Sequence, residues 1–195
     1  MNAPAIALPE TSRCKRLKAA SRREHDGVDE RVMAARPFDD RDRYGNFLRV
    51  QHRFHGSLLS LYQDEQLNRL LPGLIELSRF AAVEDDLRDL GLPVPAAPRQ
   101  VCADKAQALG WLYCSEGSNL GAAFLFKQSQ RLGLDGTLGA RHLAPHLDGR
   151  ASHWREFVNK LDAISLPCDQ EQAVIAGSLA AFDSYRGHLA AVFGE

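Results

Sequence analysis

The run from Asp104 to about Leu132 constrains the fold most, because it is long, rich in good helix formers, apolar over much of its length and free of proline. Asp104 is a favourable opening residue, and the loop around Gly133–Gly139 ends the run. The rest of the chain reads the same way, since no stretch alternates with period two for long and strand signals are weak. Ser12 or Thr11 is positioned to cap a first helix running towards Met33 and stopped before Pro37. A second helix is predicted from near Asp40, with Tyr44, Phe47, Leu48, Val50, Gln51, Phe54, His55 and Leu58 mostly on a 3.6-residue period. Leu67–Leu71 begins a further helical stretch broken at Pro72-Gly73. Leu74–Leu90 is predicted as one helix ending at Gly91, before an extended proline-rich segment over 93–98. A short segment over 140–146, a helix near 149–163 and a last helix near 169–193 complete the prediction. The expected class is all-α, one domain over 12–195, with residues 1–11 a disordered lead-in.

A chain of 195 residues can bury a sizeable core without staples. Its formal net charge of −1 gives no electrostatic case for nucleic acid or an anionic membrane surface. Cys14, Cys102, Cys114 and Cys168 are widely spaced, with neither a C-x-x-C pair nor zinc-like spacing, and read as reduced thiols. No run approaches eighteen apolar residues and the N-terminus lacks a basic flank, so no membrane insertion and a cytoplasmic location are expected.

Two helices carry chemistry. In the first, Lys18, His25, Val28 and Val32 share one face, which sets His25 among apolar neighbours. Such a histidine is either a hydrogen-bonded core residue or a metal ligand, here with a lysine two turns away for an anionic group. In the long helix, Gly110, Gly117 and Gly121 each cost about 1 kcal/mol relative to alanine. Tyr113, Gly117, Gly121 and Phe124 share a face, where missing side chains serve either close helix packing or a flat bay for a ligand. The Gly117-Ser118-Asn119 sequence adds polar groups able to bend the helix. Together the two helices describe a slot with an imidazole on one wall and bare backbone on the other. A large planar cofactor with an axial metal site fits that description. No pair of Glu-x-x-His motifs is present, which disfavours a nonheme di-iron bundle.

The runs CKRLKAASRREHDGVDERV, GWLYCSEGSNLGAAFLFKQSQ, GARHLAPHLDGR and HWREFVNKLD closely resemble the bacterial heme oxygenases used for iron acquisition, in order and over about residues 13–193. The resemblance implies an all-α heme oxygenase fold with heme between a proximal and a kinked distal helix. It implies cleavage of heme, at once cofactor and substrate, to biliverdin, ferrous iron and carbon monoxide with O2. Electrons would come from an external reductase or ferredoxin-type donor, and the expected state is a monomer. By resemblance His25 is the iron ligand, and Gly117, Ser118, Asn119 and Gly121 form the distal helix against heme. Lys18 and Tyr113 match propionate contacts. Gln51, Phe54, His55, Arg79, Arg141, His142 and Trp154 match the distal pocket and its water network. Phe182 and Tyr185 match positions lining the pocket, and Val28 and Phe124 are expected to contact the cofactor. Trp154 and Phe182 also read as simple core packing, and Arg79 as a structural salt-bridge residue. His52, His146, His153 and His188 read as surface or structural groups. Glu24 departs from the small or apolar residues associated with its position and receives no role. Lys18 with Tyr113 resembles the branch that cuts at the α-meso carbon. Two rivals share the scaffold: a heme carrier or sensor that keeps His25 without turnover, and a helical protein that has lost heme binding.

Overall fold

The first, second, fourth and sixth α-helices of the computed structural model start where a short polar side chain satisfies a free N–H group of the first turn. The structure describes residues 12–194; the expected lead-in over 1–11 lies outside them, as does Glu195. Among the described residues the α-helices are α1 (Arg13–Ala34), α2 (Arg41–Ser57), α3 (Leu59–Gln63), α4 (Glu65–Leu70), α5 (Phe80–Asp89), α6 (Lys105–Ser129), α7 (Arg150–Ala163) and α8 (Cys168–Phe193). Ser12 Oγ accepts the Lys15 N–H at 3.2 Å, and Asp40 accepts that of Arg43 at 2.7 Å. Asp104 and Gln107 cap α6 reciprocally, at 2.9 and 3.2 Å. No strand is found among the described residues; Asp135 and Gly139 form one isolated bridge.

The single helix predicted over 74–90 is two pieces. A 3-10 turn spans Leu74–Leu77, Ser78 turns extended at ψ 126°, and α5 starts only at Phe80. Side-chain periodicity survives a break this short, which is why the sequence pattern runs through it.

Helix α8 organises the molecule by packing along α6, α1 and α2. Its crossing with α6 brings backbone onto backbone. A Cβ at Gly110 would lie 2.0 Å from the Val174 carbonyl oxygen, and one at Gly177 would lie 2.0 Å from that of Gln107. Only glycine fits at such an approach.

The core falls into two clusters. One gathers Cys14, Leu17, Phe54, Leu109, Leu112, Tyr113, Phe157 and Val174. The other gathers Val32, Tyr44, Phe47, Leu48, Leu87, Ala122 and Leu143, and Tyr185 packs against both. Each fully buried leucine or phenylalanine contributes about 1.5–3 kcal/mol. The first cluster takes Cys14 from the start of α1 and Tyr113 from α6; the second takes Val32 from its end and Ala122. Yet α1 and α6 make little contact with each other and lean instead on α8. Between the two packed ends lies the stretch that carries His25 on α1 and Gly117 to Gly121 on α6.

Candidate active site between the first and sixth helices

On α1, His25 is not in the apolar setting that its periodicity suggests. Its side chain is 57% exposed, with Nδ1 3.3 Å from the Asp29 carboxylate one turn on. The imidazole meets the edge of Phe182 from α8, with ring centroids 5.9 Å apart. The reason is architectural: α6 stands off, so this face of α1 has no helix to cover it. Lys18 is exposed and Val28 half-buried on the same face. Glu24 forms an ion pair with Arg186, which also holds Asp183 at 3.1 Å, so α1 is anchored to α8 beside His25.

On α6 the three glycines serve three ends. Gly110 is consumed by the crossing with α8. At Gly117 a Cβ would touch Trp154 at 3.4 Å, so that glycine gives room to an aromatic ring. At Gly121 a Cβ would meet nothing within 4 Å. Leu120 and Phe124 beside it are exposed large apolar side chains, at 42% and 50%. The open bay therefore centres on Gly121. The helix is continuous through Ser118 and Asn119. Ser118 Oγ donates to the Ser115 carbonyl at 2.7 Å, and Arg150 donates to that of Asn119 at 2.8 Å. Both contacts give helical carbonyls an additional donor, the local chemistry associated with helix bending.

Tyr113 is buried with its ring 5.5 Å from Trp154, which stacks in turn on Phe157. Burial pushes its phenol up, with Cys114 and Cys14 adding to the shift. Cys14 lies one turn before Lys18, so Tyr113 and Lys18 belong to the same end of the gap between α1 and α6.

The polar side is built from α2, α5 and the 141–146 loop. Gln51 Nε2 donates to Tyr185 Oη at 2.7 Å, and the Tyr185 ring meets Phe54 edge-on at 5.3 Å. Asp86, fully buried, accepts from the His142 Nδ1 at 2.7 Å, the His142 N–H at 3.0 Å and the Arg141 N–H at 2.9 Å. The Arg141 guanidinium pairs with Asp89 and Asp86. His142 Nε2 and His55 Nδ1 are buried without a protein partner. Burial lowers His55 to about 3, with His142 and Arg79 adding repulsion, and burial lowers His142 despite Asp86. Both rings are thus neutral near pH 7. Among the described residues Arg79 has no salt-bridge partner: it donates to the carbonyls of His142 at 2.6 Å and Ala144 at 3.0 Å, and to His146 at 2.8 Å. It clasps the 142–146 loop from the N-cap position of α5.

Two acidic residues escaped the sequence reading. Asp86 could have been found, since it shares the buried face of α5 with Phe80 and Val83. Glu116 is the only charged residue between Lys105 and Lys127, and a lone charge in an apolar run signals a built polar contact. Tyr62 and His153 supply that contact, at 2.5 and 2.8 Å. His153 is accordingly structural rather than superficial.

An exposed imidazole on one helix, an uncovered glycine with exposed apolar neighbours on another, and orphaned buried imidazole nitrogens nearby fit a large flat apolar cofactor with a metal centre. The family model for heme oxygenase matches residues 11–191. The chain belongs to the heme oxygenase family. It is 41% identical over 184 residues to heme oxygenase PigA of Pseudomonas aeruginosa, covering 93% of each chain. It is 30% identical over 152 residues to a heme oxygenase of Xanthomonas campestris pv. campestris, covering 78% of this chain and 92% of that one. Among solved structures, the NO- and CO-bound heme oxygenase from Neisseria meningitidis superposes with a TM-score of 0.89 at 44% identity, over 94% of this chain and 92% of that one. The fold is thus the all-α heme oxygenase fold, and the protein is an enzyme with heme as cofactor and substrate and O2 as co-substrate. Its reaction calls for a reductase partner. No described helix is long and apolar enough to cross a membrane.

Proposed function

We propose that this heme oxygenase seats heme between α1 and α6 with His25 on the iron, and opens it at the α-meso carbon to release iron for acquisition. The carrying observation is the accessible His25 imidazole on α1 together with the uncovered backbone at Gly121 on α6, two helices that α8 holds apart. Bound heme supplies the iron that activates oxygen and the ring that is opened.

The protein's own residues bind, orient and manage protons. Asp29 beside His25 Nδ1 is placed to accept that N–H, which leaves the Nε2 lone pair for metal. Val28, Phe124, Trp154, Phe182 and Tyr185 provide the apolar flanks. Lys18 and Tyr113 mark one end of the slot with an ammonium and a hydroxyl, the groups that would receive propionates and fix how the ring is rotated. The resemblance of this Lys18–Tyr113 pair to the α-cleaving branch is what supports α cleavage. Gly117 and Gly121 let the helix approach the ring, and Ser118 and Asn119 set the local course of α6. Gln51, His55 and Arg79, an amide, a neutral imidazole and a guanidinium, bound a polar region that contains no strong acid. Such a region passes protons through water rather than from a strong acid. We further take the enzyme to be a cytoplasmic monomer served by an external reductase or ferredoxin-type donor.

The test is a hemin titration of the heme-free chain, then oxygen and a reductant with catalase present, with chromatography of the pigment. A stoichiometric Soret band that converts to α-biliverdin is expected, and the Lys18→Ala/Tyr113→Phe variant should yield some β or δ isomer. Pure α product from that variant would refute propionate steering. A stable Soret band without pigment would refute the oxygenase reading of the site.

A further inference from the structure

Glu116, His146 and His153 have no role in the slot described above, although they border it, and come from three elements: α6, the 144–149 loop and α7. One donor atom from each lies within 4.8 Å of the others, the only grouping of three such donors found among the described residues. The imidazoles of His146 and His153 lie nearly parallel, 3.6 Å apart at 16°. His153 Nε2 is already 2.8 Å from Glu116 Oε2. We propose that these three residues form a second metal site, distinct from the heme iron, for a divalent transition-metal ion.

The donor set decides the class of ion. Two imidazoles and one carboxylate suit Zn2+, Fe2+, Co2+ or Ni2+, whereas Ca2+ and Mg2+ ask for more oxygen ligands than the cluster offers. Glu116 supplies the reason for a cation. It is 1% exposed, yet its recorded hydrogen bonds are to Tyr62, His153 and, at 3.5 Å, Asn119. Arg79, the neighbouring guanidinium, donates to two carbonyls and to His146 and leaves its Nε without a partner, so it attracts Glu116 through space without a hydrogen bond to it. A buried carboxylate without a guanidinium or ammonium hydrogen bond is compensated well by a bound divalent ion. The Tyr62 hydroxyl on Glu116 Oε1 would orient the ligating carboxylate from behind.

Access is built in. His146 and His153 line a cleft of about 330 Å³ with Leu74, Asp148 and Glu156, so an ion can arrive from solvent and keep open positions for water. Binding asks the two rings to leave their stacked arrangement and rotate so that both in-plane lone pairs converge on one point, and asks His146 to exchange its Arg79 contact for the metal. The nearby positive charge of Arg79 limits affinity and favours an exchangeable site over a permanently closed one. This reading does not depend on where heme sits.

The experiment uses the heme-free full chain, stripped with chelator and titrated with Co2+ by visible absorption and with Zn2+ by indicator competition. One ion per chain is expected. His146→Ala and His153→Ala should each weaken Zn2+ by at least about tenfold, whereas His25→Ala should leave it unchanged. Should Glu116→Gln fail to fold, His146→Ala on the loop still decides. Absence of stoichiometric binding, or native affinity in both histidine variants, overturns the proposal. Hemin binding measured on the same variants reads the heme site separately.

Discussion

At His25 a single imidazole is left outside the core with Asp29 and the edge of Phe182 beside it, an exposed arrangement that adds little to the core. A core histidine would be buried, as His55 and His142 are, so removal of the exposed His25 should cost function rather than stability. His25→Ala should keep the helical fold by circular dichroism but lose the imidazole-ligated ferric heme spectrum and most turnover. Normal turnover would remove His25 from the iron. The glycines allow a sharper contrast. Gly121→Leu places a side chain where nothing lies within 4 Å, so it should leave the heme-free fold stable while weakening hemin binding. Gly117→Ala meets only Trp154 at 3.4 Å and should be mild in both respects. Equal hemin affinity in wild type and Gly121→Leu would show that the bay at Gly121 is not part of the heme site. The sequence could list these glycines but not rank them, because spacing gives a face and not what lies opposite it.

Elements were legible where their signals are local. The caps at Ser12, Asp40 and Asp104 mark helix starts in both sequence and structure, since capping needs only a side chain and its own first turn. The interruption at Ser78 and the role of Arg79 were not legible, because the partner of Arg79 is a loop more than sixty residues away. Gly177 was likewise missed, as a glycine in a helix pattern says nothing about which backbone crosses there. The crossing of α6 and α8 makes that glycine matter. Overpacking of a tight interior usually costs about 1–3 kcal/mol when side chains can shift. At Gly110 the obstacle is a backbone carbonyl at 2.0 Å, so the helices themselves must part. Gly110→Ala should therefore destabilise the heme-free protein by roughly 3 kcal/mol or more, read from urea unfolding. A change below about 1 kcal/mol would mean that the two helices are not in backbone contact.

The whole molecule carries an acid liability because its polar region is enclosed together with its core. His55 and His142 are buried as neutral rings, His55 lowered to about 3 and His142 also lowered, both chiefly by burial. In the unfolded chain each would titrate near 6.5. Below that pH the unfolded state binds protons that the folded state refuses, so unfolding is favoured as pH falls. The stability these neutral rings contribute is complete above about 6.5 and is lost progressively towards the low folded pKa of His55. Each such histidine adds a slope of up to about 1.4 kcal/mol per pH unit. Carboxylates add their own dependence at lower pH, and a variant separates the two. His55→Gln keeps a polar side chain but cannot take up the proton, so only the histidine contribution disappears. Urea unfolding of the heme-free protein from pH 7 to 4 should give a shallower loss of stability in His55→Gln than in wild type, by roughly 1 kcal/mol per pH unit below pH 6. Identical slopes would mean that His55 is free to protonate in the folded chain, and that the polar region beside α2 is open to acid rather than enclosed.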